Sequence, residues 1–175
     1  MHLREAQRDM RRAYVNGGVG IFVSGLVWVM AGAVTLYADL FSGMATLFFG
    51  GMLIHPLSLL LARRVFYRGR ARAPNPLEML ALQSTVFLII GVVIAYLVSA
   101  TYGDWFFAIA LLAVGARYLV FQTVYGMRLY LVLGVVLMAI AAAALSGGMA
   151  PAFLAFAGGA TELLCSAFIL VPAKR

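Results

Sequence analysis

Charged residues and cysteine are scarce in this sequence, and each shortage excludes a class of protein. Only 11% of its 175 residues are charged and 65% are hydrophobic, whereas soluble globular proteins have about 25% charged and about 45–50% apolar residues. A water-facing surface would lack polar groups, so the composition excludes a soluble domain and makes lipid the solvent. The single cysteine, Cys165, excludes an internal disulfide and a multi-thiolate metal site.

Acidic residues are also few. Six Asp and Glu stand against 13 Lys and Arg, which gives a net charge of +7. In a soluble protein this balance would suggest nucleic-acid binding. Here the basic residues fall near alternate connections between apolar runs, so membrane topology explains the charge and we expect no nucleic-acid partner.

Six apolar runs are each long enough to cross roughly 30 Å of hydrocarbon as a helix. They cover about residues 18–38, 41–62, 78–100, 104–124, 128–146 and 150–171. The sequence therefore predicts an all-α, polytopic membrane protein with one transmembrane domain over residues 1–175. Six spans place both termini on the same side.

The basic residues identify that side. Lys and Arg occur before the first span, in the loop 63–77, near the turn after the fourth span and after the sixth, while the opposite connections carry none. The positive-inside rule then places both termini in the cytoplasm, beside anionic lipids. A cleavable signal peptide with a small-residue site at Ala31 and Ala33 is the less favoured alternative.

The segment 2–15 has the pattern of a short amphipathic helix. Leu3, Ala6, Met10 and Ala13 share one helical face, and Arg and Glu residues surround them. Such a helix lies at the lipid headgroups or extends the first span. We predict that its apolar face binds lipid.

Several polar residues are placed to cap helices. Asn75 precedes Pro76 and Glu78, which is the order of an N-cap, a first helical residue and a carboxylate that reaches back to the cap. Asp39 and Asp104 precede helix starts on the opposite side, where a carboxylate favours the positive end of the helix dipole. We predict capping roles for all three acidic residues.

A weak internal repeat suggests three helical hairpins. The odd-numbered spans share a short pattern around Gly25, Gly91 and Gly134, and the even-numbered spans carry small-residue pairs at comparable depth. This pattern predicts that spans 1–2, 3–4 and 5–6 form equivalent hairpins. With 18 glycines in an apolar chain, the same matches also arise by chance, and close helix packing is an equally good explanation.

Three ionisable residues lie well inside the even-numbered spans. His55, Arg117 and Glu162 are each roughly 10 to 14 Å from the inner boundary at about 1.5 Å per residue, so they share one layer. We predict that they meet in a site for a proton or an ion. The candidates to line that site are Tyr118, Gln122, Thr161, Asn16 and Gln83.

Each ionisable residue also has a structural interpretation. Arg117 is long enough to snorkel to the inner headgroups, and His55 beside Pro56 can donate a hydrogen bond at a helix kink. Glu162 is too short and too deep to snorkel, so it needs a partner or a proton. Glu162 is therefore the residue on which a functional hypothesis depends.

Enzymatic sites find little support in the sequence. No His, Cys or Asp cluster has metal-ligand spacing, and no second intramembrane His exists to bind a haem with His55. Neither a phosphate-binding glycine loop nor a nucleophile elbow is present. We expect no enzyme, no cofactor and no metal, and acid–base chemistry by Glu162 on a lipid is the remaining enzymatic alternative.

Two stretches resemble a known group of proteins. Tyr14-Val15-Asn16-Gly17-Gly18-Val19-Gly20 and Gly51-Met52-Leu53-Ile54-His55-Pro56 are similar to segments of small bacterial six-span membrane proteins that form a family of unknown function. The chain also loosely resembles acid-resistance membrane proteins built of three short hairpins. The resemblance implies a multi-pass protein of the bacterial cytoplasmic (inner) membrane, and it assigns no activity and no site residue.

Two functions from different classes remain. The first is a structural, stress-response or accessory membrane protein, in which polar residues only hold helices together. The alternative is a small permease or channel that is proton-coupled through Glu162, with Arg117 as its counter-charge. No motif indicates a substrate, and a homo-oligomer is compatible with both functions.

Overall fold

The structure of the chain is a computed structural model that describes residues 2–66 and 75–173. This part of the chain is helical and contains no strand. Two 3₁₀ turns, Val15–Gly17 and Gly103–Trp105, precede the second and fifth helices. The helices are α1 (Leu3–Ala13), α2 (Gly18–Tyr37), α3 (Leu40–Phe66), α4 (Pro76–Ser99), α5 (Phe106–Tyr125), α6 (Arg128–Gly147) and α7 (Pro151–Ala173).

The prediction of an all-α protein with six spans is confirmed. Helices α2 to α7 are long and apolar enough to cross a membrane, and their bounds lie within a few residues of the apolar runs. Helix α3 continues through Arg63 and Arg64 to Phe66, so part of the predicted basic loop is helical. Other basic residues of the sequence analysis lie outside the described residues: Arg68, Arg70, Arg72, Lys174 and Arg175.

Two of the predicted helix caps are confirmed and two are wrong. The Asn75 side chain accepts a hydrogen bond from the Leu77 backbone N–H at 3.0 Å, and Asp39 accepts one from Ser42 at 2.9 Å. Glu78 instead accepts a hydrogen bond from the Tyr14 hydroxyl at 2.8 Å. Asp104 lies inside the second 3₁₀ turn, and α5 starts after it without a side-chain cap.

Four helices form the centre of the bundle and two lie at its edge. Helix α2 packs on α7 and α3, and α5 packs on α6 and α4. Most side chains of α3 and α4 face outward, toward lipid. The predicted hairpins 1–2 and 3–4 are present as α2–α3 and α4–α5, but α6 packs mainly on α5 and α7 mainly on α2, so the last pair is not equivalent to the others.

The central helices approach closely because their contact residues are small. A Cβ atom built on Gly159 of α7 would lie 2.8 Å from the carbonyl oxygen of Gly25 on α2. A Cβ atom built on Gly134 of α6 would lie 2.7 Å from the carbonyl oxygen of Gly115 on α5. Since lipid supplies no hydrophobic force between helices, such close backbone packing is what holds them together.

Helix α1 packs on protein and not on lipid. Most of its apolar face is buried against α5 and α4, with Ala6 and Met10 each 2% exposed, whereas Leu3 is 57% exposed. The predicted lipid contact is therefore wrong for most of this face. The Gln7 side chain donates a hydrogen bond to the Thr123 carbonyl at 2.8 Å, and Arg11 donates one to the Tyr125 carbonyl. Helix α1 therefore caps the C-terminus of α5, and we call this end of the bundle the α1 end and the opposite one the far end.

Candidate functional site

Glu162 is buried where α7 passes between α2 and α5. Its exposed fraction is 0%, although it is a carboxylic acid surrounded by an apolar bundle. The Tyr118 hydroxyl of α5 donates a hydrogen bond of 2.6 Å to Glu162 Oε1. The structure therefore brings together Glu162 and one of the residues that the sequence analysis placed beside it.

The second carboxyl oxygen is not satisfied. Among the described residues, Glu162 Oε2 has no hydrogen-bond partner. The buried hydroxyl of Ser24 on α2 interacts with the same carboxyl, but it does not complete a hydrogen bond to Oε2. A buried unpaired polar group costs about 1–3 kcal/mol, and a charged one costs more. The site is thus complete for one oxygen and open for one further ligand atom or proton.

Arg117 does not form the predicted pair with Glu162. Its Nη2 atom donates a hydrogen bond of 3.0 Å to Thr85 Oγ1 on α4, and its Cζ atom lies 4.8 Å from the centroid of the Phe121 ring. Its Nε atom is buried without a partner in the described part of the chain. Arg117 is close enough to influence the carboxyl electrostatically, but it is oriented toward α4.

His55 lies away from this site. It is exposed on the outer surface of α3, and the hydrogen bond at this position runs from the Ser58 hydroxyl to the His55 carbonyl at 2.8 Å. The prediction that His55 joins Glu162 and Arg117 is wrong, because α3 contacts α2 with one face and His55 is on another. Gln83 of α4 is likewise exposed and does not line the site.

Four aromatic residues separate Glu162 from the α1 end. Tyr118 packs against Tyr130 with ring centroids 6.0 Å apart, and Tyr130 stacks on Tyr125 at 5.1 Å. Phe121 makes edge contacts with all three rings at 5.8–5.9 Å. The cluster seals the carboxyl from the α1 end in this conformation.

The aromatic cluster is tied to a strained turn. The Tyr130 hydroxyl donates a hydrogen bond of 2.6 Å to the carbonyl of Asn16. Val15, Asn16 and Gly17 have φ values of 51°, 55° and 76°, which is unusual for a β-branched residue such as Val15. Gly17 is required here, because a Cβ atom on it would lie 2.1 Å from Tyr130 Oη. Asn16 thus contributes a backbone carbonyl to this region.

A family of unknown function, DUF7010, matches the chain over residues 3–172. The chain belongs to this family. Neither the curated proteins nor the solved structures contain a match. The expectation of a family of unknown function is confirmed, and the family assigns no activity.

Within the part of the chain that the structure describes, the hydrogen bonds of the remaining lining candidates are local. Thr161 donates its hydroxyl hydrogen to the Ala157 carbonyl of its own helix at 2.8 Å. Gln122 is half-buried, and its backbone carbonyl accepts the Gly126 N–H at 2.7 Å. Ser24 and Tyr130 were not among the predicted neighbours of the site. The polar Ser24 next to the contact glycine Gly25 was the available signal.

The donor set is suited to a proton and not to a metal ion. Within residues 2–66 and 75–173, no group of three or more His, Cys, Asp or Glu side chains is arranged to hold a metal. Ca²⁺ takes about 6–8 oxygen ligands, whereas one carboxyl with a tyrosine and a serine hydroxyl offers few. A carboxyl with a fixed hydrogen-bond donor can instead exchange a proton.

Proposed function

We propose that the protein is a small membrane permease that binds and releases a proton at Glu162. The observation that carries this proposal is the Glu162 carboxyl, which is completely buried, receives one hydrogen bond and keeps Oε2 unpartnered among the described residues. An ionisable group inside a membrane is costly and usually functional.

The position of Glu162 among the acidic residues supports the proposal. The other five acidic residues lie in α1, in a turn or in the first turn of a helix: Glu5, Asp9, Asp39, Glu78 and Asp104. Glu162 is thus the one carboxyl in the interior of a span. A proton on Glu162 would remove its charge and leave the Tyr118 hydrogen bond in place. The buried site is therefore stable when Glu162 is protonated and costly when it is ionised.

The basic residues of the α1 end support an orientation. Arg4, Arg8 and Arg12 are exposed on the outer face of α1, and Arg63 and Arg64 are exposed at the end of α3. We propose that this end faces the cytoplasm and contacts anionic lipids of the bacterial inner membrane. Most of the apolar face of α1 is buried in protein, so its lipid contacts would be mainly electrostatic and weakened by salt.

Infrared difference spectroscopy of the carboxyl stretch in liposomes tests the proton site. The pH is stepped between about 5 and about 8 on one side of the bilayer, the range in which a functional proton site works near neutrality. We expect a carboxyl band that responds to the step, is absent in Glu162→Gln and shifts in Tyr118→Phe. Glu78→Gln, which removes an exposed carboxyl at the α1 end, is the matched control and should retain the band.

A band that stays in one state over this range would overturn the proton site. The second function, a structural or accessory membrane protein, would then take its place. A specific observation favours that second function: Glu162 is sealed by the aromatic cluster and by close glycine contacts. In that case Glu162→Gln should change only stability or assembly, whereas a permease variant should fold and lose proton exchange. We propose no enzymatic activity and no cofactor.

A further inference from the structure

The order and the boundaries of the helices repeat once along the chain. A 3₁₀ turn and two helices are followed by a third helix, α4 in the first series and α7 in the second. The turn and the first two helices of the second series each start 88 residues after their counterparts: Val15 and Gly103, Gly18 and Phe106, Leu40 and Arg128. The third helix α7 starts 75 residues after α4. We call residues 15–99 the first unit and residues 103–173 the second unit.

The two units cross the membrane in opposite directions. Each unit has three spans, so the first unit starts at the α1 end and finishes at the far end. The second unit then starts at the far end and finishes at the α1 end. The units are therefore inverted about an axis in the membrane plane, which is a common architecture of secondary transporters.

The contact between the first two helices is the same in both units. In the first unit, a Cβ atom on Gly50 of α3 would lie 2.7 Å from Val27 Cγ1 of α2. In the second unit, a Cβ atom on Gly115 of α5 would lie 2.6 Å from Met138 Cγ of α6. Gly115 and Met138 lie 88 residues after Val27 and Gly50. The same pair of positions thus makes the close contact twice, with the glycine on opposite partners.

The third helix of each unit packs on the first helix of the other unit. Helix α7 packs on α2, where Gly159 meets Gly25, and α4 packs on α5, where Gly91 meets Ala113. The Cβ atom that Gly91 lacks would lie 2.5 Å from Ala113 Cβ. Ala113 lies 88 residues after Gly25. Equivalent positions on the first helices therefore receive the exchanged third helices.

From these equivalences we infer that the protein is an inverted repeat of two three-helix units that exchange their third helices and alternate between two conformations. Glu162 lies on an exchanged helix, and its carboxyl interacts with Tyr118 of the second unit and Ser24 of the first. It thus lies between the units, where transporters of this architecture bind their ions.

The two units are not in the same conformation. Helices α6 and α7 contact each other, whereas their counterparts α3 and α4 make few direct contacts. At the far end, α3 and α4 are separated by a groove of about 350 Å³. The groove is lined by Leu40, Phe41, Met44, Tyr96, Ser99, Ala100 and Gly103.

This asymmetry defines the second conformation. If the units exchange conformations, the groove between α3 and α4 closes and α6 separates from α7 at the α1 end. Cys165 of α7 is buried in the same core cluster as Tyr130 of α6 and lies about one helical turn after Glu162, toward the α1 end. This separation therefore opens Cys165 and Glu162 to the α1 end. The functional meaning of the exchange rests on the proton site proposed above, but the exchange itself requires only the repeat.

Helix α1 is the element that has no counterpart in the repeat. Three residues separate α4 from the second 3₁₀ turn, which leaves no room for a similar helix at the far end. The hydrogen bonds from Gln7 and Arg11 to the end of α5 therefore strengthen only the α1 end. This contact stabilises the observed conformation over its counterpart.

A zinc lock at the far end tests the exchange. Phe41 and Tyr96 lie on α3 and α4 with ring centroids 6.5 Å apart, so Phe41→His with Tyr96→His places two imidazoles where one Zn²⁺ can bridge them. The readout is the rate at which a water-soluble maleimide alkylates the native Cys165 in liposomes. Alkylation requires the second conformation, in which Cys165 is open, whereas Zn²⁺ bridges the two histidines at the separation of the observed conformation. We therefore expect Zn²⁺ at about ten times its Kd to lower the rate by about tenfold.

The controls isolate the lock from other effects of zinc. Each single histidine variant should respond to Zn²⁺ no more than the unmodified chain, and a chelator should reverse the effect in the double variant. Cys165→Ser reports background labelling. Arg11→Ala weakens the observed conformation and should raise labelling, the opposite of the zinc effect, whereas Arg8→Ala, on the exposed face of α1, should leave it unchanged.

The outcomes separate this inference from the proton site. Unchanged labelling of Cys165 both with bound zinc and in Arg11→Ala would overturn the exchange, whatever the carboxyl band does. The zinc effect should persist in Glu162→Gln, because it depends on helix packing. If the labelling rate of Cys165 changes but the carboxyl band does not respond to pH, the exchange is supported and the proton site is overturned. If the band responds to pH but the labelling rate does not change, only the proton site is supported.

Discussion

The two halves of the bundle differ in what fills them. The half near α1 holds the Glu162 carboxyl and the Arg117 guanidinium, each with a buried atom that is unpartnered among the described residues. Both halves contain packed aromatic rings, but the far half holds no buried charged side chain among the described residues. There Phe107 packs against Trp28 and Phe106 at 6.0 and 5.2 Å, and Phe106 against Tyr96 at 5.5 Å.

This difference indicates that the far half mainly stabilises the fold and that the α1 half contains the functional groups. Packed aromatic pairs add about 0.5–1.5 kcal/mol each beyond the area they bury, and in the far half no buried charge among the described residues offsets this gain. The α1 half contains the strained turn at Val15 and Asn16, and unusual backbone conformations cost about 1–3 kcal/mol each. Strain and unpaired polar atoms in one half indicate a requirement other than stability there.

The largest effect is expected where the helices touch through backbone. Gly159→Leu places a side chain against the Gly25 carbonyl, 2.8 Å from the position of its Cβ atom. Backbone cannot move aside as a side chain can, so we expect a loss of about 3 kcal/mol or more, seen as failed assembly in detergent. Gly51→Leu, on α3 with open space around it, is the matched control. Equal stability of the two variants would contradict the importance of this crossing.

The aromatic packing of the far half should be the next most sensitive feature. Trp28 is 1% exposed, so Trp28→Ala leaves a cavity beside Phe107. We expect a loss of about 3 kcal/mol, at the low end for such cavities because the unfolded chain also keeps the ring in lipid. Thermal unfolding in detergent measures it. Phe49→Ala, which removes a ring that is 64% exposed, should change stability little, and a similar loss there would mean that packing is not what stabilises this half.

A smaller effect should arise in the α1 half. Tyr118→Phe removes the 2.6 Å hydrogen bond to Glu162 and leaves both carboxyl oxygens unpaired, which should cost about 1–3 kcal/mol. The double variant Tyr118→Phe with Glu162→Leu should recover stability, since replacing a buried polar pair by apolar groups is often neutral or stabilising. If the double variant is less stable than Tyr118→Phe alone, the polar pair is itself a structural element.

The sequence predicted the helices well and their neighbours poorly. Hydrophobic length located all six spans, and local chemistry located the caps at Asn75 and Asp39. The depth of a residue along a span was also recoverable, which is why Tyr118 was among the candidates beside Glu162. The face of the helix on which a residue lies could not be predicted. The lipid-facing and core-facing sides are both apolar, so no periodicity distinguishes them. His55 and Arg117 were therefore assigned the wrong neighbours.

Helix α1 shows the same ambiguity in an amphipathic segment. An apolar stripe formed by Ala6 and Met10 is compatible with lipid and with a protein groove, and only the tertiary structure shows that it packs on α5 and α4. The hydrogen bonds of Gln7 and Arg11 to helix-end carbonyls depend on a residue separation of more than a hundred positions. No local pattern encodes such a contact.

The smallest predicted effect belongs to the exposed turn at the far end. The Ser42 hydroxyl and backbone N–H donate hydrogen bonds to Asp39 and hold the pKa of this carboxyl below its usual value of 3.8. Because the pKa is lowered in the folded state, the cap stabilises the fold at pH values above the ordinary pKa of the carboxyl. This contribution disappears as the pH falls through the lowered pKa. Asp39→Ala should therefore lower the unfolding temperature slightly at neutral pH and not at all in strong acid. Asp104→Ala, at an exposed aspartate of the same end that caps no described helix, should show no such pH-dependent difference, and a difference that grows in acid at Asp39 would contradict the assigned sign.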